Sequence, residues 1–251
     1  MTGSLDLPPP YRAIVLREHR DGFAHAQEIA AEAGAGTLVW VRRFDSVEVA
    51  VVLEPEEALS GARRALYAVM NAAGDALAVH CPPEKPLAFA WPDSILLDGG
   101  ILGGVRIAWP EGTLEDEVPD WLVCGLVLRM AVALERNRQA GSHPLDIALV
   151  RGTSLEIEGF EMMDAEGLIG SFARHLMAQF DRWQEKGFVP LGEQFLARLP
   201  EETAIRLGLD TNGDLLRRSL ATAAAKPERQ ALRDALHTPQ WLDPATGEPW
   251  L

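Results

Sequence analysis

At 251 residues, 47% of them hydrophobic and 24% charged, the chain can bury one large core with a small appendage. A formal charge of −14 argues against a nucleic-acid partner, since phosphate binding needs clustered Lys and Arg. No apolar run approaches the ~20 residues of a membrane helix. The opening MTGSLDLPPPYR has no basic segment leading into an apolar run, so a cytoplasmic protein with no membrane partner is expected.

In chain order, Pro8, Pro9 and Pro10 form a stiff arm before the fold. Phe23, Ala26, Ile29, Ala30 and Ala33 recur at helical spacing, with Gly34 as a stop. Leu38–Val41 reads as a short strand. Val47, Val49 and Val51 alternate with Glu48 and Ala50, which predicts a half-buried strand ending at Leu53. Pro55 opens a helix with Leu59, Leu66, Val69 and Met70 on one side, and residues 71–74 are a weak stop.

Leu87–Trp91 and Ser94–Leu97 follow as strands, then Asp98-Gly99-Gly100 as a turn and Leu102–Trp109 as the return strand. Asp-Gly between apolar runs is a hairpin signal. The acidic loop over residues 110–119, with Glu115, Asp116 and Glu117, reads as solvated. Trp121–Leu128 has the continuous apolar character of a strand buried on both faces, and LDIALV from Leu145 is a further strand candidate. Asp164 is a good N-cap for a helix through Lys186, striped by Leu168, Phe172, Leu176, Phe180 and Trp183 and ended by Gly187. After Pro200 the texture changes: RLGLDTNGDLLRR predicts a hairpin, KPERQALRDAL a short helix, and the last residues a tail carrying Trp241 and Trp250. The class is α+β, a mixed or antiparallel sheet with helices packed on it. Residues 11–200 form a main domain and residues 201–251 a small C-terminal domain or an appendage to it.

Cys81 and Cys124 show neither metal spacing nor a disulfide framework. His80-Cys81 invites a thiol-nucleophile reading, but adjacent residues of an extended chain point apart and no base is supplied. Cys124, inside an apolar strand, reads as a core residue. No metal site is expected.

Several segments together resemble a known family. WPDSILLDGGILGGVRI is similar to the Trp-Pro-Asn-Asp strand–turn–strand of the biotin protein ligase and lipoate–protein ligase catalytic domain. PDWLVCGLVLRM resembles its Gly-Ile-Gly-Ile-Asn strand, TSLEIEGFEMMDAEGLIGSFARHLMAQFDRWQEKGF its Thr-Ser-Leu segment and long helix, and GLDTNGDLL the first hairpin of its SH3-like C-terminal domain. The resemblance implies activation of a carboxylic acid (biotin, lipoate or octanoate) with ATP and Mg²⁺. The acyl group then passes to a lysine of a biotinyl or lipoyl carrier domain. The ligand-binding positions it implies are Trp91, Pro92, Asp93, Ser94, Leu102, Gly103, Gly104, Val105, Gly125 and Arg129, with Arg42 and Arg43 as the remnant of a Gly-Arg-Gly-Arg loop. Gly103 and Gly104 would let a ligand lie against the strand, having no β-carbon. An exposed edge strand near the glycine hairpin would let two copies pair as a homodimer.

The departures bear on chemistry. Asp93 and Ser94 replace the family's Asn-Asp, Ile101 stands where relatives carry the reactive lysine, and Arg129 replaces the asparagine. A lysine clamp on developing negative charge is worth several kcal/mol of barrier, and isoleucine supplies none of it. Strand alternation aims Arg106 away from the face of Ile101, Gly103 and Val105, which leaves Arg129 and Arg43 as the better-placed cations. Two functions follow: an acyl ligase or transferase with a rearranged phosphate site, or a non-catalytic ligand-binding or interaction protein on the same fold.

Overall fold

The computed structural model describes residues 5–131, 152–160, 164–221, 226–237 and 239–243. The main sheet has seven strands. In chain order they are β1 (Arg12–Leu16), β2 (Thr37–Arg42), β3 (Ser46–Leu53), β4 (Leu87–Ala90), β5 (Ser94–Leu97), β6 (Gly100–Ala108) and β7 (Leu122–Arg129). Their order across the sheet is β1-β2-β3-β7-β6-β5-β4, and every neighbouring pair is antiparallel except β1–β2. The expected mixed sheet is therefore present. β7 lies between β3 and β6 with all eight residues buried, as its unbroken apolar run requires.

Helices cover the sheet unequally. On one face lie α2 (Leu59–Ala62), α3 (Ala65–Ala78), α4 (Ala165–Lys186) and α5 (Phe188–Leu196). There Leu66, Met70, Phe172, Leu176 and Phe195 join Val47, Val49, Val51 and Leu126 in the large core. On the other face, among the described residues, one helix, α1 (Gly22–Ala33), packs Ala26 and Ala30 onto Val39, Ala50, Val52 and Val123. β3 is thus covered on both faces, not half-buried as its alternation predicts, because small residues on the second face are what a closely packed helix needs. Asp21 caps α1 by accepting from the Ala24 N–H at 2.9 Å, and Asp164 caps α4 from the Gly167 N–H at 2.7 Å.

Residues 71–74 do not stop α3. Asn71 is used inside the core, donating from Nδ2 to the Leu191 carbonyl at 3.0 Å, and Gly74 leaves room for the Phe89 ring. The Glu115 loop is not simply solvated: Arg63 clamps its carboxylate with bonds of 2.8 and 2.6 Å and holds it below the usual range. The strand candidate from Leu145 lies outside the described residues. The segment 226–236 is a strand, β10 (Glu228–Gln230), then the short α6 (Leu232–Ala235), where one helix is expected. β10 completes a small antiparallel sheet in the order β10-β9-β8, with β8 (Ile205–Leu209) and β9 (Leu215–Ser219). Arg64 donates to the Thr211 carbonyl at 2.8 Å and Tyr67 donates from its hydroxyl to the Gly213 carbonyl, so this small sheet is tied to the start of α3. The edges of the main sheet are β1 and β4. The edge strand β4 pairs with β5 of the glycine hairpin, while the glycine-bearing β6 is interior.

Trp241 returns from the C-terminal segment to the main sheet. It is fully buried, and its indole N–H donates to the Val105 carbonyl at 3.3 Å. Trp241→Ala should cost ~3–5 kcal/mol, as for other large-to-small core changes. That corresponds to a fall in Tm of roughly 10 °C for a chain of this size. A calorimetric Tm within 2 °C or so of the parent would show that the indole contributes no core packing.

Candidate functional site

The Trp91-Pro92-Asp93-Ser94 segment and the double glycine meet as the sequence suggests: Ser94 pairs with Gly104 and Ile95 with Gly103 across β5–β6. The glycines, however, do not border free space. A β-carbon at Gly103 would lie 2.0 Å from the Val127 carbonyl oxygen of β7. At Gly104 it would meet the Asp93 carbonyl oxygen and the Trp241 ring at 2.4 Å each, and at Gly125 the Phe23 ring at 2.6 Å. Close approach is what these glycines provide, but the approaching atoms are the protein's own backbone, Phe23 and Trp241.

The remaining expected positions separate. Leu102 and Val105 are fully buried in the helix-side core. Trp91 donates from Nε1 to the Tyr67 hydroxyl at 2.9 Å, which also directs it to the helical layer, and Pro92 is buried. Arg42 lies over the Trp40 ring at 5.1 Å. Arg129, 7% exposed, ends β7 opposite Ser46, and its carbonyl accepts from the Leu155 N–H at 3.0 Å. The carbonyl of Ile101 accepts from the Thr153 N–H at 2.9 Å, joining β6 to the segment after the undescribed stretch.

A different set converges on a cleft of about 410 Å³ beyond the N-terminus of α1, lined by residues 18–21 and by Arg43, Asp45, Glu48 and Arg106. Of the expected residues only Arg43 lies here. Arg106 approaches Asp21 at 3.3 Å and Glu48 at 3.9 Å, and stacks on the Phe23 ring at 4.4 Å. Arg43 approaches Asp45 at 3.1 Å and Glu48 at 3.9 Å. Glu48 accepts from the Gly22 N–H at 2.8 Å. Burial pushes its carboxyl above the ordinary value, against the pull of that N–H and of Arg106 and Arg43. At Asp45 burial acts the same way but is outweighed by the hydrogen bond and charge of Arg43, with help from Ser46, and the carboxyl sits low.

Alternation correctly separates Arg106 from Val105, but taking the face of Ile101 and Gly103 as the ligand face excludes it from the site. Leu96 pairs with Ile101 and Ile95 with Gly103, so Leu102 is an extra residue in β6 and strand parity breaks there. Glu48 and Arg106, charged residues within apolar strands, were the signal available in the sequence.

Residues 7–197 match the Biotin/lipoate A/B protein ligase family. The chain belongs to that family. A biotin–[acetyl-CoA-carboxylase] ligase of Paracoccus denitrificans is 28% identical over 184 residues, 73% of this chain and 70% of the relative. Among solved structures, a biotin protein ligase-like protein of unknown function from Silicibacter sp. TM1040 aligns with a TM-score of 0.77 at 25% identity, covering 92% of this chain and 98% of its own. The apo biotin protein ligase of Aquifex aeolicus aligns at 0.65 and 15% identity, covering 88% and 96%, and shows the same fold. The Aquifex enzyme has also been solved with biotin and ATP, aligning at 0.61 and 15% identity over 87% of this chain and 95% of that one.

Against this family fold the chain shows two local changes. Between β2 and β3 only Arg43, Phe44 and Asp45 remain, where the resemblance calls for a Gly-Arg-Gly-Arg loop. The three lysines of the chain are Lys85, Lys186 and Lys226, and none lines the cleft. Lys85 is held by Asp98 at 2.7 Å and Glu158 at 2.9 Å. Cys81 gains no nucleophilic character either, since burial and the charges of Glu84 and Glu158 push its thiol up.

Asp93, 1% exposed, accepts from the Ser94 hydroxyl at 3.1 Å, while its second oxygen has no partner. Burial pushes its carboxyl up to about 7, against weaker stabilisation by Ser94, a backbone N–H and Trp241. The native state therefore keeps this proton to near neutrality, whereas an unfolded aspartate loses it near pH 4. Between those values the native state binds more protons, so stability falls as pH rises from about 4 through about 7. Asp93→Asn should remove that fall and stabilise the protein at pH 8 by up to about 4 kcal/mol. Denaturant titrations at pH 5 and 8 check this, and parallel pH dependence in parent and variant would refute it.

Proposed function

We propose that this chain is a ligand-binding member of the ligase family, holding the carboxylate of a small acid between Arg43 and Arg106 without activating it through ATP. The observation that carries this reading is Arg106, which enters the cleft beside the Phe23 ring with its Nε lacking an acceptor; the lining cations Arg20, Arg43 and Arg106 are otherwise outnumbered by Glu18, Asp21, Asp45 and Glu48. A triphosphate brings about four negative charges at neutral pH and needs a net positive receptacle, which this lining does not provide. A monocarboxylate brings one. Arg106 stands 3.9 Å from Glu48, beyond hydrogen-bond distance, and its buried Nε has no acceptor, while Arg43 is bonded to Asp45 at 3.1 and 3.3 Å. A ligand oxygen bonded to the Arg106 guanidinium would supply what Glu48 does not.

The residues present do not fit ATP with Mg²⁺. No lysine faces the cleft, and among the described residues no three His, Cys, Asp or Glu side chains converge to hold a metal. The positions of Gly125 and Phe23 also restrict the acyl body, because the Phe23 ring occupies the space a ligand would need against β7.

Family membership favours a second reading, in which the chain activates biotin, lipoate or octanoate with ATP for a carrier-domain lysine. The two separate in one assay set. With biotin, lipoate, octanoate and shorter acids, the first expects saturable calorimetric binding of at least one acid and a raised Tm, since a ligand selective for the native state adds ~2.7 kcal/mol at a hundred times its Kd. Arg106→Gln should weaken that binding at least about tenfold, the scale of a lost charged hydrogen bond. With ATP and Mg²⁺ added, no pyrophosphate above background is expected. Pyrophosphate release dependent on the acid would overturn the first reading in favour of the second, and absence of binding by every acid would remove it outright.

A further inference from the structure

A second cavity, of about 460 Å³, lies on the helical face at the far end of β3. Its distance along that strand from Glu48 to Leu53 is about 17 Å, at ~3.4 Å per residue. Its apolar walls are Leu53, Ala62, Ala65, Leu122, Phe180 and Trp183. Phe180 and Trp183, one turn apart on α4, stack with ring centroids 6.2 Å apart and 19° between planes, and both remain partly exposed. An amphipathic helix normally spends such a stripe on the core. Here its C-terminal end borders open space.

The charged side chains that line this cavity are carboxylates, with Arg64 paired to one of them and lying over its aromatic wall. Glu54, Glu56 and Glu57 are its ionisable lining residues, and no Lys, Arg or His lines it. Glu57 is engaged by Arg64, and Glu54 accepts from the Ala35 N–H at 3.3 Å. Glu56 is exposed and has no partner among the described residues. The aromatic wall is already used by a cation from the protein itself: the Arg64 guanidinium lies 5.5 Å from the Trp183 ring centre. An apolar pocket with aromatic walls and a carboxylate rim attracts an organic cation through both ring quadrupole and charge, and repels anions. Among the described residues no set of carboxylates converges closely enough for a metal ion, so the carboxylate rim alone does not account for the walls.

We propose that this cavity binds an organic cation, an ammonium group carried on an apolar or aromatic body. The body lies against Leu53, Phe180 and Trp183, and the ammonium lies at Glu56. This site shares no residue with the charged cleft, so it stands or falls separately from the carboxylate reading.

The test is titration of the whole chain with three probes of nearly one shape: 2-phenylethylammonium, neutral 2-phenylethanol and anionic phenylacetate, followed by calorimetry and tryptophan fluorescence. The ammonium should bind with Kd at or below about 1 mM, the range a nine-atom ligand reaches. It should bind about tenfold more tightly than the alcohol, with phenylacetate showing no saturation. Glu56→Gln, an exposed change that leaves the core untouched, should weaken the ammonium about fivefold and leave the alcohol unchanged, in keeping with a single exposed charge pair. Trp183→Phe, which keeps an aromatic wall, should retain binding, and Trp183→Ala should lose it. Absence of ammonium binding at about 10 mM, equal binding of all three probes, or an ammonium affinity indifferent to Glu56→Gln would overturn the proposal.

Discussion

The unequal cover of the main sheet governs the rest of the molecule. Among the described residues one face carries α2, α3, α4 and α5 over an apolar surface. The other carries, among the described residues, only α1, and α1 is shorter than the sheet is wide. Each strand that runs out from beneath it must change character on the same face. β2 goes from Val39 under the helix to Arg43 just past its own end, β3 from Ala50 and Val52 to Glu48, and β6 carries Arg106 opposite Gly125. Solvent cannot be met with valine at all these positions, and carboxylates there cannot stay buried without cations, so the two signs arrive together. The cleft is the consequence of where α1 begins. Asp21, which caps that beginning, is also one of its lining acids.

The same geometry explains what the amino-acid order revealed and what it hid. α4 was legible because Asp164, a repeating apolar stripe and Gly187 agree, and the hairpin because Asp98 and Gly99 both take positive φ, as an Asp-Gly turn demands. β7 was legible as a buried run. In the alternating pattern Glu48 looks like the wet side of a half-buried strand, since a small helix lying on alanines leaves little trace in alternation. Alternation counted from Ile101 and Gly103 turns Arg106 away from their face, but the parity break at Leu102 lies between those two residues, and a bulge has no reliable mark in one sequence. β10 hid in a segment of helical composition because its role is to pair with β9, a long-range contact that local propensity does not encode.

At the glycines the fold is more legible than the chemistry. The ordered motifs establish the fold, and the fold is shared with biotin protein ligases at modest identity. But a glycine in a strand states only that something comes close. At Gly103 it is the backbone of β7, at Gly104 the indole of Trp241, and at Gly125 the ring of Phe23. In this chain the space at each glycine is filled by the protein itself. Sites are grafted on folds, and one graft can be replaced while its bed is preserved.

Asp93 shows how such a replacement leaves a strained record. Relatives are expected to carry asparagine here, a group that can donate and accept without charge. The aspartate sits fully enclosed beneath Trp241 with one oxygen bonded to Ser94 and the other unpartnered. An ionised carboxylate in that position would be a buried charge with no cation beside it, the costliest state open to the side chain, so the protein holds the acid form instead. A proton thus does part of what an amide would do. Packing of Trp241 over Gly104 seals this arrangement from water, and the same seal takes the place a ligand would need. The closed indole, the filled glycine and the protonated acid are therefore one structural event. An open ligand slot at this end of β6 would require all three to be undone together.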